Sequence, residues 1–147
     1  MPIFFFDNIR ACILVYVKGG GICNIMERKI KRGDMFYAEL TSGIGSEQIG
    51  YRPILIISND IGNKHSNTVI AAIITSQTMN KAKIPTHCHI KMQQGLGRDS
   101  LVLLEQIRTI DKSRLREYIG ALEGEVMNNI DRALAISIGL KGGMDYA

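Results

Sequence analysis

From Met35 to Ile110 the apolar residues come in short runs, and each run is closed by glycine, proline or an Asn-Asp pair. No run there is long enough to make a substantial buried helix, so the segment buries its apolar groups by pressing strands together in a sheet. Met35 to Leu40 alternates with a period of two and sets Phe36, Ala38 and Leu40 on one face. Thr41 to Gly50 is a glycine-rich loop. Arg52 to Ser58 is a β-branched run, and Pro53 near its start is tolerable because a strand's first residues need not donate to a ladder. Asn59 to Asn63 reads as a second loop, and Val69 to Thr75 as a buried strand. After Pro85, the stretch from Thr86 to Met92 sets Cys88, Ile90 and Met92 on one side and His87, His89 and Lys91 on the other. Gly95 and Gly97 mark a turn before the run from Ser100 to Leu104, and Ile107 to Ile110 extends that run past a bend.

Beyond Asp111 the period changes. Asp111 caps an expected short helix with Leu115, Ile119 and Leu122 on one stripe, and Gly124 interrupts it. Val126, Ile130, Leu134 and Ile138 recur every four residues and predict a second amphipathic helix to about Gly139. Strands followed by terminal helices imply a small barrel or curled sheet with helical cover. The 147 residues are one domain's worth.

The first 25 residues differ from the rest. Their longest clean apolar run, Ala11 to Val17, is seven residues, against about 20 for a membrane-spanning helix. Asp7 and Arg10 split the apolar stretch, which fits neither a signal peptide nor a lipid anchor. Met26 opens MERKIKRGDMFYAEL, a natural beginning for a strand-first domain. Residues 1–25 are therefore expected to be an extension outside a domain of residues 26–147, with Met26 as an alternative start.

Composition narrows the chemistry. Cys12, Cys23 and Cys88 are odd in number and form no CxxC pair, as expected of reduced thiols in a cytoplasm. Residues 26–110 carry 11 Lys and Arg against 7 Asp and Glu, whereas residues 111–147 carry 5 against 6. A basic body of this kind suits a polyanion, and it equally suits a solvated surface. The glycine patterns of phosphate loops and dinucleotide folds are absent, so no nucleotide cofactor is expected. The His87-Cys88-His89 run leaves only two ligands on one strand face, so no metal site is expected either. On its own face Cys88 meets Ile90 and Met92 rather than a base, which describes a buried structural thiol.

Arg52 stands out because it precedes an apolar strand and follows a loop with Ser46, Glu47 and Gln48. An arginine there can grip a phosphate through a bidentate contact, or pair with a glutamate structurally. Thr75, at the end of a buried strand, can present its hydroxyl at the rim of the sheet.

Four segments, KRGDMFYAEL (31–40), GSEQIGYRPILIISNDIGNKHSNTVIAAIIT (45–75), KAKIPTHCHI (81–90) and RDSLVLLEQIRTIDKSRL (98–115), together resemble the MazF/PemK family of toxin endoribonucleases. The resemblance covers about residues 30–140 and leaves residues 1–25 and the terminal KGGMDYA without counterparts. It implies a mainly β fold with α elements: an SH3-like, PemK-type curled antiparallel β-barrel with a C-terminal helix and short connecting helices. It also implies a homodimer in the bacterial cytoplasm that cuts single-stranded RNA without metal. The expected ends are a 2′,3′-cyclic phosphate and a 5′-hydroxyl. The family's catalytic arginine and threonine fall on Arg52 and Thr75. Its RNA contacts fall on Ser46, Glu47, Gln48, Asn59 and Gln106. A small antitoxin with an acidic C-terminal segment is the implied partner, and in the family the toxin–antitoxin complex binds DNA. Two alternatives stay open at this point. One is a non-catalytic RNA-binding barrel. The other is a gyrase-poisoning toxin of the same fold, which relies on a Trp-Gly-Ile tail that this Trp-free chain lacks.

Overall fold

A computed structural model describes residues 28–76, 84–93 and 95–140. The expectations for residues 1–25, Met26 and the terminal KGGMDYA lie outside the described residues. Strands β1 (Asp34–Leu40), β2 (Gly50–Ile56), β3 (Thr68–Thr75), β4 (His87–Ile90), β5 (Ser100–Asp111) and β6 (Leu115–Ala121) form one antiparallel sheet. Their order is β4-β5-β3-β2-β1-β6. Helix α1 (Asp60–His65) follows β2, and α2 (Gly124–Ser137) ends the described fold. Among the described residues no helix is long and apolar enough to cross a membrane.

Strand alternation divides the apolar residues between two cores. Phe36, Ala38, Leu40, Ile54, Ile56, Ala71 and Ile73 belong to one, as the period of two in β1 predicts. Met35, Leu55, Ala72, Ile74, Val102 and Leu104 belong to the other, and α2 closes that face with Ile130 and Ala133. Ser137 pins the helix end by donating to the Leu104 carbonyl at 2.7 Å. The edge strands β4 and β6 do not pair. Instead the turn after β4 seats on β6, where an added Cβ on Gly95 would lie 2.6 Å from the Ile119 carbonyl oxygen. Gly95 also has φ +94, which only glycine adopts without strain.

Three expectations need correction. The helix expected from Asp111 to Leu122 is a single 3-10 turn, Lys112–Arg114, followed by β6. Register shifts between β1 and β6 flip the alternation, so Leu115 pairs beside Ala38 and Tyr118 beside Phe36 on the same face. The expected stripe is therefore split, Leu115 entering one core and Ile119 and Leu122 the other. The expected loop Asn59–Asn63 is instead the start of α1, which also takes in His65. Asn59 caps it by accepting from the Gly62 N–H at 2.8 Å. Met92 is 64% exposed, since β4 ends at Ile90.

Candidate active site

The ladder between β2 and β3 runs from Ile56↔Ala71 to Ile54↔Ile73. There it stops, beside Pro53, which has no N–H to extend it. Continued two residues, the register sets Arg52 opposite Thr75. The parted strand ends open a cavity of about 260 Å³. Arg52, Pro53, Ile74, Thr75, Ser76, Leu96, Gly97, Arg98, Ser100, Tyr37 and Tyr51 line it. Two residues far apart in sequence, Arg52 and Thr75, therefore line one cavity where this ladder ends.

The cavity is electropositive. Arg52 and Arg98 line it, and among the described residues no Asp, Glu or His does. The Arg52 Nε–H donates to the Ile49 carbonyl at 2.8 Å, which fixes how its fork is aimed. Among the described residues no carboxylate forms an ion pair with Arg52, so the structural Arg–Glu alternative has no support. Thr75 is buried at the strand end.

The loop between β1 and β2 lies over the bend in β5. The ladder to β3 jumps there from Ala72↔Ile107 to Ile73↔Leu103, leaving Leu104, Glu105 and Gln106 unmatched. Gln106 uses both ends of its amide on the loop. Its Nε2 donates to the Ser46 carbonyl at 3.0 Å, and its Oε1 accepts the Gln48 N–H at 3.4 Å. Arg108 adds a bond to the Gln48 carbonyl at 3.3 Å. Glu47 folds back on the Ile44 N–H at 2.8 Å. Ser46, Glu47, Gln48 and Gln106 are thus brought together as one ordered loop. Asn59 is not among them. Seven residues of extended chain separate it from Arg52, roughly 20 Å along the sheet, and its side chain is occupied as the α1 cap.

The same bend holds a polar cluster apart from the cavity. His87 Nε2 lies 2.6 Å from Glu105 Oε1, and Thr86 donates to Glu105 Oε2 at 2.9 Å. The His87 side chain is only 6% exposed. Partial burial opposes ionisation of Glu105. Hydrogen bonds from its own backbone N–H, His87 and Thr86 outweigh that and hold its carboxyl below the usual carboxylate range. Burial pushes the Cys88 thiol up, as suits a structural cysteine. Among the described residues no three His, Cys, Asp or Glu side chains gather into a ligand set.

Sequence reasoning missed Arg98 and the tyrosines. Tyr37 and Tyr51 stack with ring centroids 5.1 Å apart and planes 5° from parallel. An aromatic directly before Arg52 in G-Y-R-P was the available signal, since aromatics interleaved with cations mark single-strand binding surfaces.

Comparison with known proteins places these features. Residues 31–138 match the family model of the PemK-like, MazF-like toxin of type II toxin–antitoxin systems. Endoribonuclease EndoA of Bacillus subtilis (strain 168) is 54% identical over 112 residues, covering 76% of this chain and 96% of that protein. An endoribonuclease from a mycobacterial species superposes with a TM-score of 0.63 at 28% identity, covering 79% of this chain and 97% of that one. A mycobacterial endoribonuclease solved with its cognate antitoxin superposes equally well, TM-score 0.63, at 30% identity over 76% of this chain and 96% of its own. The chain belongs to the PemK-like, MazF-like toxin family of type II toxin–antitoxin systems.

Proposed function

We propose that this protein is an endoribonuclease that cuts single-stranded RNA at short sequence motifs in the bacterial cytoplasm, as a homodimer and without metal. The observation that carries the reading is that Arg52 and Thr75 line one arginine-lined cavity with no acidic side chain among its described residues. The 54% identity to an endoribonuclease supports it. The ribose 2′-oxygen bonds to phosphorus while the bond from phosphorus to the 5′-oxygen breaks. The proton lost at the 2′-oxygen is balanced by one gained at the 5′-oxygen. The products are a 2′,3′-cyclic phosphate and a 5′-hydroxyl. Arg52 stabilises the charge that builds on the phosphorane oxygens, since a fixed guanidinium suits developing phosphate charge. It is no general base, because a guanidinium offers N–H donors and no acceptor. Thr75 hydrogen-bonds a phosphate oxygen, and Arg98 supplies a second positive charge to the same cavity.

The proposed partner is a small antitoxin whose acidic, apolar C-terminal segment lies along the basic surface. Opposite charge steers such a segment, and a disordered one wraps a large area. The decisive experiment incubates the protein with a long RNA in EDTA and maps both ends of each fragment. Cyclic phosphate and 5′-hydroxyl ends at a recurring motif are expected. Arg52→Ala should lower kcat by roughly 10²–10³, as loss of one transition-state donor does, with the fold unchanged. Cleavage that EDTA abolishes and a divalent ion restores, or full activity in Arg52→Ala, overturns the assignment.

A further inference from the structure

We propose that Tyr51, backed by Tyr37, is a stacking platform for one unpaired base beside the scissile phosphate, and so a determinant of substrate binding in this chain. The inference rests on the nuclease reading and deepens it.

Three observations carry it. The two rings are parallel at 5.1 Å, so each covers one face of the other. Tyr37 packs against the core that holds Met35 and Leu55, whereas Tyr51 is 52% exposed. The order outward is thus core, Tyr37, Tyr51, solvent, and the outer ring is held like the top of a stack already begun. An aromatic ring has only two side-chain torsions, so little freedom is lost when it binds. Finally, both tyrosines line the same cavity as Arg52, Thr75 and Arg98.

Strand alternation explains why a nucleotide fits there. Tyr51 and Arg52 are consecutive on β2, so their side chains leave opposite faces of the strand. A phosphate held at Arg52 and a base laid on Tyr51 straddle the end of β2, where the ladder toward β3 has already ended. A bare aromatic face beside two arginines suits a base attached to a phosphate. A double helix, whose bases are stacked on one another, offers no free face to it.

The test uses an RNA spanning the cut site mapped above, with 2′-deoxyribose at the attacking nucleotide so that it binds uncut. Each flanking base is replaced in turn by 2-aminopurine or by an abasic residue. One 2-aminopurine position should lose fluorescence on binding the natural protein and keep it on binding Tyr51→Ala. An abasic residue at that position should weaken binding to the natural protein about 5- to 150-fold, the range for loss of one base–aromatic stack. It should leave binding to Tyr51→Ala unchanged. Tyr51→Phe, which keeps the ring, should bind within about threefold of the natural protein. Tight binding by a folded Tyr51→Ala, or an abasic penalty equal in both proteins, overturns the platform while leaving the nuclease intact. Impaired antitoxin binding with RNA binding unaltered assigns the ring to a protein partner and overturns it too. A natural protein that neither binds nor cuts RNA overturns the nuclease reading and the platform together.

Discussion

Replacing Gly95 by alanine tests how the sheet is closed. The residue has φ +94, and a side chain forced into that region costs about 1–2 kcal/mol. The new Cβ would lie 2.6 Å from the Ile119 carbonyl oxygen and 2.7 Å from Ile119 Cγ2, whereas ordinary contact begins at 3.4 Å. The turn must back away by most of an ångström. Leu96, buried next to it in the core shared with Ile119, then loses part of its packing. A gap of that size forfeits a quarter to a half of a contact's attraction, and a buried leucine contributes about 1.5–3 kcal/mol. That adds roughly 0.4–1.5 kcal/mol of loss. Alanine stiffens the unfolded chain and returns about 0.4–1 kcal/mol. The expected net destabilisation is about 0.4–3 kcal/mol, centred near 2, a midpoint shift of about 1 M in urea, read by circular dichroism. Gly97→Ala is the control. Its Cβ meets nothing within 4 Å and its φ is unremarkable, so it should stay within about 0.5 kcal/mol of the natural protein. Equal effects of the two substitutions would refute the seating of this turn on β6. Because Arg98 follows three residues later, Gly95→Ala should also reduce RNA cleavage.

Three further outcomes follow from the site and its surroundings. Gln106→Ala should leave the melting temperature nearly unchanged but lower kcat/KM and speed hydrogen exchange at the Gln48 amide; unchanged exchange there contradicts its role as a clamp. Glu105 is held below its usual pKa, so its contribution to stability is complete above the unfolded value near 4.5 and disappears as pH falls through the lower folded value. Glu105→Gln should therefore unfold with a shallower acid dependence below about pH 4.5 than the natural protein, and identical acid profiles would rule this out. A chain beginning at Met26 should fold and cut RNA at the rate of the full one; a markedly slower rate with intact circular dichroism would assign residues 1–25 a role in the activity.

The parts of the fold legible in the sequence are those where burial alone decides. In β1 the alternation of Phe36, Ala38 and Leu40 corresponds directly to one core. The α2 stripe held for the same reason, with Ile130 wholly buried and only Ile138, past the helix end, exposed. The β6 segment was illegible because its face depends on a pairing partner. Leu115 and Tyr118 share a side only through the irregular register with β1. At Asn59 the local sequence did not announce the helix cap that its side chain forms with the Gly62 N–H. Arg52 and Thr75 drew notice as single residues, but that they line one cavity depends on a ladder that ends short of them. Arg98 carried no local signal of a role, since only the turn that seats Gly95 on Ile119 brings it to the cavity.

The middle of this sheet has no outside. Ile54, Leu55 and Ile56 of β2, and Ala71 through Thr75 of β3, are buried whichever way each residue faces. Nothing on those stretches can change to suit a new substrate without first disturbing a core. On the nuclease reading, variation that retunes recognition falls on the strand ends and the connections beyond them: the loop of Ser46 and Gln48, Tyr51 and the turn that leads to Arg98. A library built to redirect the cutting motif should draw on those positions and leave the strands and Arg52 fixed. Packing holds the scaffold, and selectivity is free to vary around the rim.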